Sequence, residues 1–264
     1  ATPVPSTGSE EDYKWLGKTT RFREWLGSRV IQNLAASSYV IKNKTFENTV
    51  GVSREDIEDD KLGVYSPLFQ QLGYDAKTHP DELVFGLLKN GFSQAGYDGQ
   101  YFFDTDHPVT DANGVVQSVS NSGGGAGTPW FLLDTSKPIK PIIFQKRRNY
   151  TFTPKANLDN DNVFHQNEFL YGVDARVNVG YGLWQLAYGS KQTLDAANYN
   201  TAFASLQGMK GDNGKPLGVR PTLLVVPPSL RDKALEVVKA ERLANGATNV
   251  NRDTADVLVT PWLG

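Results

Sequence analysis

The sequence predicts an α+β chain: a β-rich body built around one long helix and closed by a β-α-β unit. Three observations support this. The 25 glycines and 14 prolines among 264 residues fall between short β-branched and aromatic runs, a pattern of many strands and turns. Residues 65–92 carry the strongest helical spacing. Residues 221–259 read strand, helix, strand.

A chain of this length forms one large domain or two modest ones. It buries roughly 75% of its unfolded surface and needs no covalent or metal staple. No linker divides it. The absence of cysteine excludes disulfides, iron–sulfur clusters and thiolate zinc sites. The 27 basic and 29 acidic residues give a net charge of −2, unlike a protein whose work is gripping phosphates. No apolar run approaches the ~20 residues that span a bilayer, and no membrane partner is expected. No charged stretch followed by an apolar core marks a secretory leader. Ala1 at the start is compatible with loss of an initiator Met or with proteolytic maturation.

Residues 1–12, rich in Pro, Ser and acid, read as a flexible or extended arm. Phe22, Trp25 and Leu26 share a face at i, i+3, i+4, which predicts a short helix over 20–26 stopped by Gly27. Residues 37–52, rich in Tyr, Val, Ile, Thr and Phe with Asn43 and Asn48 as turn residues, predict a β-hairpin. Its apolar residues keep no single face, so it leans on something outside its own core. Ser53 with Asp56 resembles a capping box that opens the acidic segment 53–61. That segment is a solvated helix start or a docking surface for a basic partner.

Within 65–92, Pro67 sits at the start, and Leu68 and Leu72 share a face. Leu83, Leu87 and Leu88 continue the pattern after Asp81 and Glu82. Pro80 lacks an N–H and predicts a break or kink after His79. Residues 111–127 have the composition of a flexible surface loop. Strands are expected at 130–134, 141–147, 168–179 and 183–188, and a helix at 194–209. A strand at 221–226 leads to a helix with Leu230, Ala234 and Val237/Val238 inward, and 257–259 closes the unit as a strand.

The densest chemistry lies at residues 97–109 (YDGQYFFDTDHPV). Asp104, Asp106 and His107 could bind a divalent ion or run acid–base chemistry. Three such close neighbours cannot face one point without a tight turn. Asp side chains also fold back on their own backbone, and Pro108 holds His107 extended. The competing reading is a hydrogen-bonded turn after a strand at 101–103, with Phe102 and Phe103 as core anchors. His79 and His165 sit in unrelated contexts, so no H-E-x-x-H spacing arises. There is no G-x-S-x-G elbow. The glycine run at 123–127 is not followed by G-K-[ST]. The segment 157–162 (NLDNDN) lacks the glycine and distal glutamate of a calcium loop. Catalytic residues, cofactors and metal ligands are therefore not expected. The basic run 145–148 (QKRR) ends a strand in solvent, touches phosphates, or pairs with the acidic 54–60 segment of a neighbour.

A family pattern emerges from several blocks in one order. They are Trp15-Leu16-Gly17 with Glu24-Trp25, Asn43-Lys44-Thr45-Phe46-Glu47, Glu58-Asp59-Asp60 and Pro80-Asp81-Glu82-Leu83. Tyr97-Asp98-Gly99-Gln100 follows, with Phe102-Phe103 and His107-Pro108. Later blocks are Lys140-Pro141 with Phe144-Gln145, Asn167-Glu168-Phe169, Tyr181-Gly182 with Trp184-Gln185, and Pro221-Thr222. From about residue 13 to the C-terminus the chain closely resembles the major head (capsid) proteins of Mu-like bacteriophages, which have the Hong Kong 97-type capsid fold. Family members typically carry a further stretch upstream of the position of Ala1.

The resemblance implies a structural subunit and not an enzyme. It implies hexamers and pentamers that close into an icosahedral head around double-stranded DNA, located in the virion and, during assembly, in the host cytoplasm. It implies an N-terminal arm at 1–36, an extended loop at 37–60 reaching across a neighbour, a peripheral domain at 61–193 with a spine helix at about 65–92, and an axial domain at 194–264. Lys42, Lys44, Phe46, Glu47 and Val50 of the extended loop are the expected inter-subunit contacts. Tyr97, Asp98, Gly99, Phe102, Phe103, His107 and Pro108 form a structural signature. Portal, scaffold and decoration proteins are implied partners, and DNA is enclosed without sequence-specific binding. The alternatives are a metal-dependent hydrolase using Asp104, Asp106 and His107, and a nanocompartment shell holding protein cargo. Removing residues 42–50 is expected to leave a folded monomer that no longer assembles.

Overall fold

The computed structural model describes residues 1–14, 16, 39–60, 63–243 and 245–264. The helix expected at 20–26 lies outside the described residues. In chain order the first elements are β1 (Thr2–Pro5), β2 (Glu10–Asp12), β3 (Val40–Lys42), β4 (Lys44–Ser53), α1 (Arg54–Glu58) and α2 (Ser66–Lys89). Next come β5 (His107–Thr110), β6 (Val116–Val119), β7 (Ser122–Gly125), β8 (Trp130–Leu133), β9 (Ile142–Lys155), α3 (Asp161–Gln166) and β10 (Glu168–Tyr181). The chain closes with β11 (Ala187–Lys191), α4 (Ala196–Gln207), β12 (Leu223–Val226), α5 (Arg231–Val238) and β13 (Asp256–Val259). These form a four-stranded sheet, order β1-β9-β10-β4, and a five-stranded sheet, order β13-β12-β8-β11-β7.

The five-stranded sheet holds the main core. Trp130, Phe131 and Leu132 of β8 and Leu224, Val225 and Val226 of β12 are fully buried. Tyr199, Ala202 and Leu206 of α4 and Ala234, Val237 and Val238 of α5 pack on them. β12 and β13 pair in parallel across α5, so the predicted β-α-β unit is present. The apolar runs WFLL and LLVV are buried on both faces, as central strands require.

The four-stranded sheet is built on a long ribbon. β9 and β10 have 14 residues each, about 46 Å. Ile142, Ile143 and Gln145 bury the base of β9, while most of Lys146–Lys155 is exposed, following the change from IIFQ to KRRNYTFTPK. The helix α2, about 36 Å long, runs unbroken from Ser66 to Lys89 through Pro80. Of the predicted break or kink, the break is therefore corrected. Contacts on both sides hold the helix across the hydrogen bond that Pro80 cannot make. Phe69 meets Tyr171 at 4.4 Å before it, and the Tyr181 hydroxyl donates to Leu87 O at 2.9 Å after it. Leu72 and Leu88 are buried, but Leu68 is exposed, so the predicted Leu68–Leu72 face is only half covered.

The predicted hairpin at 37–52 is also corrected. β3 pairs with β2, whereas β4 pairs antiparallel with β10 over ten residues, from Lys44↔Val177 to Ser53↔Glu168. The single residue Asn43 between them cannot close a hairpin. Its side chain donates to Ser6 Oγ (2.8 Å) and accepts from Gln145 Nε2 (2.8 Å), redirecting the chain from one sheet to the next. Strand periodicity identifies β3 and β4 but not their partners, which are remote in sequence. Because β4 is integral to a sheet, deleting residues 42–50 would damage the fold. That deletion does not isolate assembly.

Smaller differences follow the same logic. Residues 1–12 contain β1 and β2, so of the two readings the extended one is realised. Ser53 precedes α1 without a side-chain cap, and Arg54 reaches Glu58 at 2.6 Å instead. Residues 111–127 contain β6 and β7. Asp111 accepts the N–H groups of Asn113 (2.8 Å) and Val115 (3.0 Å), folding β5 back on β6. In 183–188, one 3-10 turn at Trp184–Leu186 precedes β11. Residues 101–103 are not a strand; Tyr101 makes only an isolated bridge with Ala95.

Candidate assembly surface and the buried signature cluster

The suspected acid–base cluster is dispersed by the fold. His107 is completely buried and stacks on Trp184 at 3.9 Å, with 11° between the rings. Its Nδ1 faces the Asp98 carboxylate at 2.7 Å and its Nε2 faces Asn121 Oδ1 at 3.1 Å. Both ring nitrogens are thereby engaged, leaving none to ligate an ion. The Asp104 carboxylate accepts the N–H groups of Tyr101 (3.2 Å) and Thr105 (2.7 Å). Asp106 is exposed. Among the described residues, no group of three His, Asp or Glu side chains could hold a metal ion. The turn reading is the one realised.

Asn121 organises this cluster. It is fully buried, and its amide donates to the carbonyls of Phe102 (2.8 Å), Ala187 (3.2 Å) and Trp184 (3.3 Å). Its Oδ1 accepts the Asp104 N–H at 2.9 Å. The other signature residues surround it. Phe102 stacks on Tyr181 with ring centroids 4.4 Å apart. Gln185 donates to the Tyr97 hydroxyl at 2.9 Å, and burial raises the Tyr97 phenol well above its ordinary value. Gly99 takes φ +85° in the turn before Gln100. Phe103 lies in a slot where a Cβ on Gly91 would come within 2.6 Å of its ring and one on Gly189 within 2.7 Å. Pro108 is exposed within β5. Sequence reading found these residues but missed Asn121, which sits in a Gly/Ser/Asn-rich stretch where one asparagine carries no distinguishing signal.

The expected contact residues lie elsewhere, on the surface. Lys42, Lys44 and Glu47 are exposed, and Phe46 and Val50 are half-buried. Lys42 sits 3.9 Å from Glu10 across the β2–β3 pair. Phe46 packs edge-on against His79 of α2 at 4.4 Å. Between α2, the sheet and the C-terminal turn Pro261–Leu263 lies a groove of about 330 Å³. Phe46, Leu72, Tyr150, Val173 and Trp262 provide apolar walls, and Glu47, Asp75 and Glu82 provide carboxylates. Among the described residues, no lysine or arginine lines it.

His79 Nδ1 lies 2.6 Å from the Tyr150 hydroxyl. Burial lowers the His79 pKa, with Glu82 pulling the other way. The neutral ring can accept a hydrogen bond from the tyrosine hydroxyl. Burial pushes Tyr150 up to about 12, so it stays a donor.

This side of the molecule is thinly covered. Of the 24 residues in α2, only Leu72 and Leu88 are buried. Tyr74 is 59% exposed and Phe152 on β9 52%. Among the described residues, no helix is long and apolar enough to cross a membrane.

Comparison with known proteins gives these features a common setting. The model of the Mu-like prophage major head subunit gpT family matches residues 1–263. The major capsid protein of Escherichia phage Mu is 44% identical over 259 residues, covering 96% of this chain and 85% of that protein. A chain of the bacteriophage JBD30 procapsid superposes with a TM-score of 0.88 at 50% identity, covering 99% of this chain and 89% of that one. A chain of the JBD30 capsid decorated with minor capsid protein trimers gives 0.82 at 39% identity, covering 100% and 89%. The α+β architecture is thus that of Hong Kong 97-like capsid proteins. The family model spans both sheets and the signature cluster, and the chain belongs to the Mu-like prophage major head subunit gpT family, whose members are structural capsid proteins and not enzymes.

Proposed function

We propose that many copies of this chain, as hexamers and pentamers, close into an icosahedral head that encloses a double-stranded DNA genome. The observation that carries this reading is the thin layer made by α2 on the four-stranded sheet. A 24-residue helix that buries two side chains and exposes Tyr74, over a sheet that exposes Phe152, is underpacked for a free monomer. Neighbouring copies supply the missing cover. Many modest contacts then add by avidity in a closed shell. The net charge of −2 suits a wall that contains DNA without gripping it.

Residues 1–36 and 37–60 serve as arm and inter-subunit loop, 61–193 as the peripheral domain, and 194–264 as the axial domain. Lys42, Lys44, Phe46, Glu47 and Val50 contact a neighbour. Portal and scaffold proteins direct assembly in the host cytoplasm. A decoration protein binds the shell; the JBD30 capsid is decorated with minor capsid protein trimers. The test is the nucleic-acid content of particles purified from infected or induced cells. Shells holding double-stranded DNA are expected. Shells holding only protein cargo would favour a nanocompartment instead.

A further inference from the structure

We propose that the groove between α2 and the four-stranded sheet binds a linear polyamine. Its ammonium groups sit at Asp75 and Glu82, and its methylene chain lies over Phe46, Tyr150 and Trp262. The site begins with the spacing of one helix face. Leu72, Asp75, His79 and Glu82 follow one another by three or four residues, so all four line the same cavity of about 330 Å³. Leu72, Val173 and Ala175 are buried and form its apolar floor. His79 holds two of the rings in place, with Phe46 edge-on at 4.4 Å and Tyr150 edge-on at 5.8 Å. Trp262, 39% exposed, stands at the rim.

The charge in this cavity is all of one sign. Among the described residues, Glu82 has no ion pair or hydrogen-bond partner, and the Asp75 carboxylate has one, the neutral amide of Gln71 at 2.6 Å. Burial lowers the His79 pKa, so at neutral pH the imidazole brings no positive charge. Pro80 adds a further acceptor. It has no N–H for the carbonyl of Ala76, one turn earlier, and Ala76 lines the groove.

These features select the ligand class. Two carboxylates without a basic neighbour reject an anion. One metal ion cannot bridge them, because seven helix positions separate their Cα atoms by about 10 Å, whereas metal–oxygen bonds are roughly 2.0–2.6 Å. A single lysine side chain carries one charge and leaves the second carboxylate unmatched. A polyamine carries a cation at each end of a flexible apolar chain. Its ammonium groups are attracted to carboxylates and to aromatic faces, and its methylenes cover the exposed floor.

The test is titration of the full chain with spermidine at fixed ionic strength, read by calorimetry and by tryptophan fluorescence. Saturable binding of one spermidine per chain is expected, with an unfolding midpoint that rises with spermidine concentration. Asp75→Asn with Glu82→Gln is expected to raise the Kd about tenfold, and Trp262→Leu about threefold. Asp75 and Glu82 are exposed, and the midpoint of each variant without ligand reports that it is folded. Magnesium chloride and ammonium chloride at the same ionic strength are expected to leave both readouts unchanged. Equal effects from those salts, no saturable binding, or an unchanged Kd in the double variant would each overturn the site. A weaker Kd in the double variant with none in Trp262→Leu would overturn the placement of the chain over the rings.

Discussion

The Asn121 side chain bridges three backbone carbonyls, one backbone N–H and the His107 ring in a site that water does not reach. Truncation would leave the Phe102 and Ala187 carbonyls, the Asp104 N–H and His107 Nε2 without this partner, at roughly 1–3 kcal/mol apiece before relaxation, while the Trp184 carbonyl keeps the Ala187 N–H. Asn121→Ala is therefore expected to destabilise the subunit by at least about 3 kcal/mol, measured by denaturant unfolding. A loss below about 1 kcal/mol would mean that the cluster relaxes or hydrates freely. The neighbouring Asp104, Asp106 and His107 show why residue type alone misleads. Their pattern fits metal chemistry, yet Asp104 and His107 are spent on a backbone turn and a buried pair. Phe102 and Phe103 were legible as core anchors because aromatic residues of that size are seldom left in water. Asn121 was not legible, because nothing local marks an amide whose partners lie up to 66 residues away.

Elements were legible where local pattern and tertiary role agree. The runs WFLL, LLVV and DVLV, and the apolar face of α5, appear as strands and helix close to where periodicity places them. The failures concern partners. β4 reads as half of a hairpin, but its ladder is with β10, more than a hundred residues on. Pro80 reads as a break, but packing on either side carries α2 through it. The α2–β9 contact has a pH consequence. His79 is held below its usual value of 6.5 by burial, so the folded state favours the neutral ring. Stability from this contact is present above pH 6.5 and is lost as pH falls through the lowered value, where the unfolded chain binds the extra proton more readily. Trp262 lines the same groove, and its fluorescence is expected to change on acidification below pH 6.5. His79→Gln should flatten that change. An identical pH profile in the variant would assign the transition to other groups.

At the scale of the whole molecule, the five-stranded sheet with α4 and α5 has a filled core, whereas the α2 layer leaves apolar and edge surface uncovered. In the proposed reading, the first part folds the subunit and the second meets neighbouring copies. Relatedness to the phage Mu capsid protein and the JBD30 procapsid chain places the fold in assembled heads. The sequence resemblance reached the same family from its conserved-order blocks, while contact details stayed hidden because half of each interface belongs to another copy. The most direct measurement is electron microscopy of the purified full-length chain, paired with its sedimentation profile. Closed shells of uniform size are predicted. A chain that remains monomeric in both measurements would contradict the account.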